Sequence, residues 1–218
     1  MKDKDLTIKK NIALAFRNHQ KNNFKVAENI YKKILKLNPN HFESIFLLGS
    51  LLLQTRNFNE AIQLLNKAIQ IRPDHANSYH NLGLAFVELG EYKKAMNYSK
   101  KAIQIQPSHV EAYNNLGNIL KELREFSQAK NCYLQAIQVQ PNHAGVYNNL
   151  GNTMKELGEF CNLPWNRKCL EFYKRKDLVS KTASNIQIRK AIYKEPMNKN
   201  LPYKKFLDKY GKQYSWFN

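Results

Sequence analysis

Four of the six histidines, His41, His75, His109 and His143, stand 34 residues apart, and three cysteines, Cys132, Cys161 and Cys169, accompany them. Neither set has the spacing of a metal centre, which needs several donors within one loop or one helical turn. One imidazole per 34 residues separates the rings by a whole structural unit, so no metal is expected and the histidines read as turn residues. The cysteines, odd in number, read as packing or surface thiols. No residue is assigned a catalytic role.

Primary amides make the more suggestive pattern. Asn81, Asn115 and Asn149 also recur every 34 residues, with Asn114, Asn118, Asn148 and Asn152 beside them in two YNNLGN stretches. A carboxamide offers two donors and an acceptor, so a row of them can hold the main chain of an extended peptide without reading its side chains. Lys121 and Lys155 lie beside Glu122 and Glu156, which points to surface ion pairs of small energetic weight and away from a cationic clamp for a carboxylate.

The elements that must position these amides follow from the same period. Pro39, Pro73, Pro107 and Pro141 are spaced by 34 residues. A small residue recurs at Ala15, Gly49, Gly83, Gly117 and Gly151, each preceded by a leucine (Leu14, Leu48, Leu82, Leu116, Leu150). A second recurs at Ala27, Ala61, Ala95 and Ala129, and a third at Ala68, Ala102 and Ala136. Two antiparallel helices approach closely only where a side chain is nearly absent at their crossing, and a proline cannot continue a helix. Each unit is therefore a helix, a turn and a second helix closed by proline, with Tyr79, Tyr113 and Tyr147 filling space between units.

This order of large residue, leucine with a small residue, alanine and proline resembles the tetratricopeptide repeat. The resemblance implies an all-α superhelical solenoid: an N-terminal extension over 1–7, repeats over 8–41, 42–75, 76–109 and 110–143, and a partial repeat over 144–160. The first repeat, with Leu14-Ala15 and with Asn11 and Asn18 at apolar positions, reads as a degenerate cap. In such repeats the first helices line a concave groove. The wording YNNLGNILKELREF is similar to the repeats of O-linked N-acetylglucosamine transferase, where an asparagine ladder holds a peptide backbone. That likeness implies peptide binding by Asn81, Asn115, Asn149, Asn118 and Asn152, and a protein or peptide partner.

Residues 161–218 leave the repeat pattern as a short, partly irregular C-terminal segment. LPWNRKCLEFYK and KTASNIQIRKAIY resemble the C-terminal portion of sulfotransferases that carry tetratricopeptide repeats, a group related to protein-tyrosine sulfotransferases. The resemblance implies a remnant of a wall for 3′-phosphoadenosine 5′-phosphosulfate, with Thr182, Ser184, Gln187 and Arg189 at the matching positions. The glycine-containing loop that would wrap the phosphosulfate has no counterpart, so the chain alone is expected to bind no cofactor and to lack catalysis. A short helix between about Asn166, its N-cap, and Lys176 is expected to cap the array through Trp165, Leu170 and Phe172.

The net charge is +18, and from Cys161 onward 14 Lys/Arg face 4 Asp/Glu. Such a balance suits polyanions in general, but no zinc finger, basic zipper or RNA-recognition motif is present, so specific nucleic-acid binding is not expected. The charged opening MKDKDLTIKK and the lack of a long apolar run point to a cytoplasmic protein with no membrane insertion.

Overall fold

The computed structural model describes residues 2–160, and side chains from 6 to 158. Among the described residues there are nine α-helices and no strand: α1 (Lys2–Gln20), α2 (Phe24–Leu37), α3 (Phe42–Gln54), α4 (Phe58–Ile71), α5 (Ala76–Glu88), α6 (Tyr92–Ile105), α7 (Val110–Glu122), α8 (Phe126–Val139) and α9 (Ala144–Phe160). α1 starts at Lys2, within the stretch read as an extension. The helices α1–α8 belong to one compact unit, Met1–Val139, and α9 to a second, Gln140–Asn218. The expected C-terminal cap, with Asn166, Trp165, Leu170 and Phe172, lies outside the described residues, as do Thr182, Ser184, Gln187 and Arg189.

In the first unit every second helix stops two residues before its proline. Asn38, Arg72 and Gln106, the residues between, have φ of −141°, −132° and −130° with ψ near 90°. Proline excludes the helical region for its predecessor, so the extended conformation at these three positions is the direct cause of helix termination. Each first helix ends differently, in a left-handed residue: Asn22, Arg56, Gly90 and Arg124, one per repeat, with φ of 60–73°. At Arg124 the amide donates to Lys121 O and the next amide, Glu125 N, donates back to Leu120 O, both at 2.8 Å. This pair of bonds satisfies the last carbonyls of the helix and turns the chain into α8.

The recurring small residues do what their spacing suggests. Ala27, Ala61, Ala95 and Ala129 are fully buried, as are Ala68, Ala102 and Ala136. A Cβ at Gly49 would lie 3.0 Å from Leu65 Cγ, and one at Gly117 would lie 2.5 Å from the Tyr133 ring. At these two crossings the second helix puts its largest buried side chain where a Cβ on the first would stand, whereas the first repeat accommodates Ala15 beside Tyr31. Tyr79, expected to fill space between units, is half-buried and faces Tyr98 of its own repeat at 6.4 Å, and Tyr98 stacks on Phe86 at 5.3 Å.

First helices of successive repeats touch one another, α1 with α3, α3 with α5 and α5 with α7, more extensively than any successive pair of second helices does. Within this unit the first helices therefore run along the shorter, inner arc of the stack, and their free faces form its concave side.

Candidate functional site

The first-helix face is held in register by its own histidines. His41 Nδ1 accepts from Ser44 N, His109 Nδ1 from Ala112 N and His143 Nδ1 from Val146 N, each at 3.3 Å, and His75 Nδ1 meets Ser78 Oγ at 2.9 Å. Each imidazole thus sits at the start of a first helix, and three take up a free backbone amide there as an N-cap. The sequence placed these residues in turns; the capping role was hidden because it depends on which ring nitrogen faces the helix. His109 also reaches Asn77 Oδ1 through Nε2 at 2.8 Å. His80 lies with its ring 5.0 Å from that of His109, and burial, then the neighbouring imidazole, lowers its pKa to about 4.

The amides divide into two kinds. Asn81 is half-buried, and its Nδ2 donates to Ser50 Oγ at 2.8 Å, while Ser50 Oγ donates to Phe46 O at 2.9 Å. Because the only hydroxyl proton of Ser50 is spent on that carbonyl, Ser50 can only accept from Asn81. The orientation of the carboxamide is thereby fixed, with Oδ1 and the second N–H left as the groups it can offer a ligand. Asn115 is only 5% exposed, and its Nδ2 donates to Ser99 Oγ at 3.1 Å. Ser99 is itself fully buried at a place where the other repeats carry Tyr31, Leu65 and Tyr133. The space that a large side chain would fill is taken by Asn115 of the next repeat. Gly83 adjoins both groups, since a Cβ there would lie 2.9 Å from Ser99 Oγ and 3.3 Å from Asn115 Nδ2.

Asn118 accepts the Tyr133 hydroxyl at 2.8 Å and so supports the core as well as the face. Asn149 is half-buried, and Asn148 and Asn152 are exposed on α9. Replacing Asn115 or Asn118 therefore disturbs the fold, which an equal treatment of the row had not anticipated.

Charge is distributed unevenly among the helices, most clearly between α5 and α6, while α1 is basic like α2. The first helices α3, α5 and α7 carry Glu43, Glu88, Glu111 and Glu122 against Lys121 alone. In contrast, α6 carries Lys93, Lys94, Lys100 and Lys101 with no acid, and α2 carries Lys25, Lys32, Lys33 and Lys36 with only Glu28. Lys121 lies 3.5 Å from Glu122, the surface pair expected of it.

Among the described residues no group of His, Cys, Asp and Glu side chains could hold a metal, and no helix is long and apolar enough to cross a membrane. Cys132 is half-buried, and burial pushes its thiol up to about 11, which makes it a packing group at neutral pH. Cys161 and Cys169 lie outside the described residues.

A stack of helix pairs with clearance at Gly49, Gly83 and Gly117, closed by proline every 34 residues, defines a repeat solenoid. Residues 12–41, 41–108, 110–143 and 132–160 each match a tetratricopeptide-repeat model, and the chain is a tetratricopeptide-repeat protein. No curated protein matches it. Among solved structures, the crystal structure of MamA is 27% identical, with 66% of this chain and 84% of that chain covered and a TM-score of 0.60. Pseudomonas aeruginosa pilF is 17% identical, with 95% and 99% covered and a TM-score of 0.66. A thermophilic TPR protein in Thermus thermophilus is 17% identical, with 84% and 95% covered and a TM-score of 0.64. The last two share the fold.

Proposed function

We propose that this protein is an interaction scaffold that holds an extended peptide along its first-helix face, with Asn81 and Asn115 as the amide row of the first unit and Asn118 beside it, and with Asn149 and Asn152 of α9 repeating the same residue types at the same repeat positions. The observation that carries the reading is the Ser50–Asn81 relay. It turns the Asn81 carbonyl into an oriented acceptor for a peptide N–H, whereas Asn115, 5% exposed, is turned to Ser99 and supports the row from beneath. Extended peptides present N–H groups at regular intervals, and each such bond contributes roughly 0.5–1.5 kcal/mol net. A cytoplasmic location goes with this proposal.

The test is selection of random 12-residue peptides displayed on phage against the full chain, then titration of selected peptides on variants. Asn81→Ala with Asn149→Ala is expected to weaken binding more than about tenfold, two such bonds being lost. Unchanged affinity in that double variant would remove the amide row from the reading. Asn115→Ala is left out of the affinity test because it also orphans Ser99.

A second reading rests on the likeness of LPWNRKCLEFYK and KTASNIQIRKAIY to TPR-linked sulfotransferases. On it, Thr182, Ser184, Gln187 and Arg189 retain part of a nucleotide wall, and the chain is a member or fragment of an enzyme whose catalytic core is missing.

A further inference from the structure

The second helices, on the outer arc of the stack, carry a polar stripe of their own. In α2, α4, α6 and α8 the second, sixth, ninth and thirteenth residues share one side of the helix, and all of them are exposed except Asn66 and Leu134, which are half-buried. Over the four helices these positions hold five lysines, nine carboxamides and no acid. Lys25 and Lys32 of α2 recur in register as Lys93 and Lys100 of α6. The sixth position is an amide in every repeat, as Asn29, Gln63, Asn97 and Asn131, and among the described residues none of these four spends its amide on another group.

The surrounding charges leave the stripe positive. The only acids of these four helices are Glu28 and Glu60, and both lie against Lys32, at 2.6 and 3.7 Å. Glu91, just before α6, pairs with Lys94, and Glu125, just before α8, accepts from Gln128. The other glutamates of the first unit, Glu43, Glu88, Glu111 and Glu122, stand on first helices and meet Arg72, Arg56, His109 and Lys121 there. Among the described residues Lys25, Lys36, Lys93 and Lys100 pair with no carboxylate. Residues 161–218 add 14 Lys/Arg against 4 Asp/Glu, so neither that segment nor a second copy of the face supplies the missing negative charge.

The side chains narrow the kind of anion. These four helices contain no arginine and expose no aromatic ring. Phosphates are therefore denied the guanidinium fork, and nucleic-acid bases have nothing to stack on. Leu134 is the single apolar residue of the stripe, too little to anchor in a bilayer. Lysine with a carboxamide one turn away suits a carboxylate. Asn97 follows Lys93 by four residues and precedes Lys100 by three, so ammonium and amide N–H groups can converge on one carboxylate oxygen pair. We propose that this outer face docks an acidic polypeptide segment, rich in Asp and Glu, laid across successive second helices. The site lies on the far side of the helix pairs from the first-helix face and does not rest on the peptide reading there.

The test is fluorescence anisotropy of the full chain with a labelled Asp/Glu-rich peptide of about 20 residues, long enough when extended to cross several helices. Replacing Lys25, Lys36, Lys93 and Lys100 together by glutamine is expected to weaken binding roughly tenfold, with melting unchanged because the four are exposed and unpaired. Replacing Lys174, Lys176, Lys181 and Lys190 by glutamine makes the same change in net charge and should weaken binding less than about twofold. Gln63→Ala with Asn97→Ala should cost about threefold or more while the salt dependence stays as in the wild type, a readout that bulk charge does not move. Absence of peptide binding, equal weakening by the two lysine variants, or an amide variant that binds as the wild type does would overturn the proposal. Tighter binding of a single-stranded oligonucleotide of matched charge, or of phosphatidylserine vesicles, lost in the first lysine variant, would assign the face to nucleic acid or to lipid and equally defeat it.

Discussion

Tyr133 occupies the volume that any side chain at position 117 would need: a Cβ on Gly117 would lie 2.5 Å from one ring carbon and 2.8 Å from two others. The ring is fully buried and its hydroxyl is bonded to Asn118 on the same helix as Gly117, so it cannot swing aside without losing a hydrogen bond. Alanine favours a helix over glycine by roughly 1 kcal/mol, but here the overpacking should win. Gly117→Ala is expected to lower stability by about 1–3 kcal/mol, measured by thermal or urea denaturation followed by circular dichroism. Gly83→Ala should cost less, because its nearest neighbour is the single hydroxyl of Ser99 at 2.9 Å. A Gly117→Ala protein as stable as the wild type would refute this account of the crossing.

The turn between first and second helices gives a prediction of opposite sign. Arg124 has φ of 60° and Gly90, its counterpart one repeat earlier, has φ of 73°. An L side chain in this region is strained by about 1–2 kcal/mol, partly offset by the extra freedom glycine gives the unfolded chain. Arg124→Gly should therefore stabilise by about 0.5–1 kcal/mol, and Gly90→Arg should destabilise by a similar amount. Denaturation midpoints of the two single variants check both signs. A loss of stability in Arg124→Gly would show that the arginine side chain does more than occupy the turn.

His80 makes stability depend on acid. Burial, and after it the charge of His109, holds its pKa at about 4, against an ordinary value near 6.5, with Glu111 acting in the other direction. The folded state thus keeps the imidazole neutral where the unfolded chain would protonate it. His75 is also lowered, by burial and then by Arg72, opposed by Asp74 and Glu43. The stability from such groups is fully present above the unfolded pKa and is lost as pH falls from about 6.5 towards 4. For His80 the loss is on the order of 3 kcal/mol. The melting temperature should be flat above pH 7 and fall through that window, with a shallower fall in His80→Leu. Parallel slopes for wild type and variant would assign the acid sensitivity to other groups.

The fold was legible in the sequence because its determinants are single-residue effects. A proline forces its own neighbour out of the helix, and a glycine or alanine supplies clearance whatever surrounds it. The site was legible only in part because its determinants are pairs. Whether Asn115 faces solvent or core depends on Ser99, sixteen residues earlier, standing where other repeats have a tyrosine or leucine. The histidines showed their period but not which nitrogen meets the helix. The lysines carried a usable signal that went unread: Lys25 and Lys32 stand in register with Lys93 and Lys100, which a count over the whole chain conceals. α1 begins at Lys2, ahead of the first repeat boundary, since the repeat pattern marks packing positions and says nothing of how far a helix runs beyond them.

The sulfotransferase reading leads to the last prediction. A phosphosulfate donor carries several charged oxygens, and proteins hold such groups with converging backbone amides at a glycine-rich loop before a helix. The glycines of the described residues are placed otherwise. Gly49, Gly83 and Gly117 lie inside helices at crossings, Gly90 forms a turn between helices, and Gly145, Gly151 and Gly158 belong to α9. Amides beyond the first turn of a helix already donate to carbonyls one turn back and have nothing left for a phosphate, and Gly145, in the first turn of α9, is a single glycine and no glycine-rich loop. Thr182, Ser184, Gln187 and Arg189 would have to hold the ligand without such a cradle. Isothermal titration of the full chain with 3′-phosphoadenosine 5′-phosphosulfate is therefore expected to show no binding in the micromolar range. One-site micromolar binding that is lost in Arg189→Ala would overturn this and favour the enzyme-remnant reading, with the four polar residues as a working nucleotide wall.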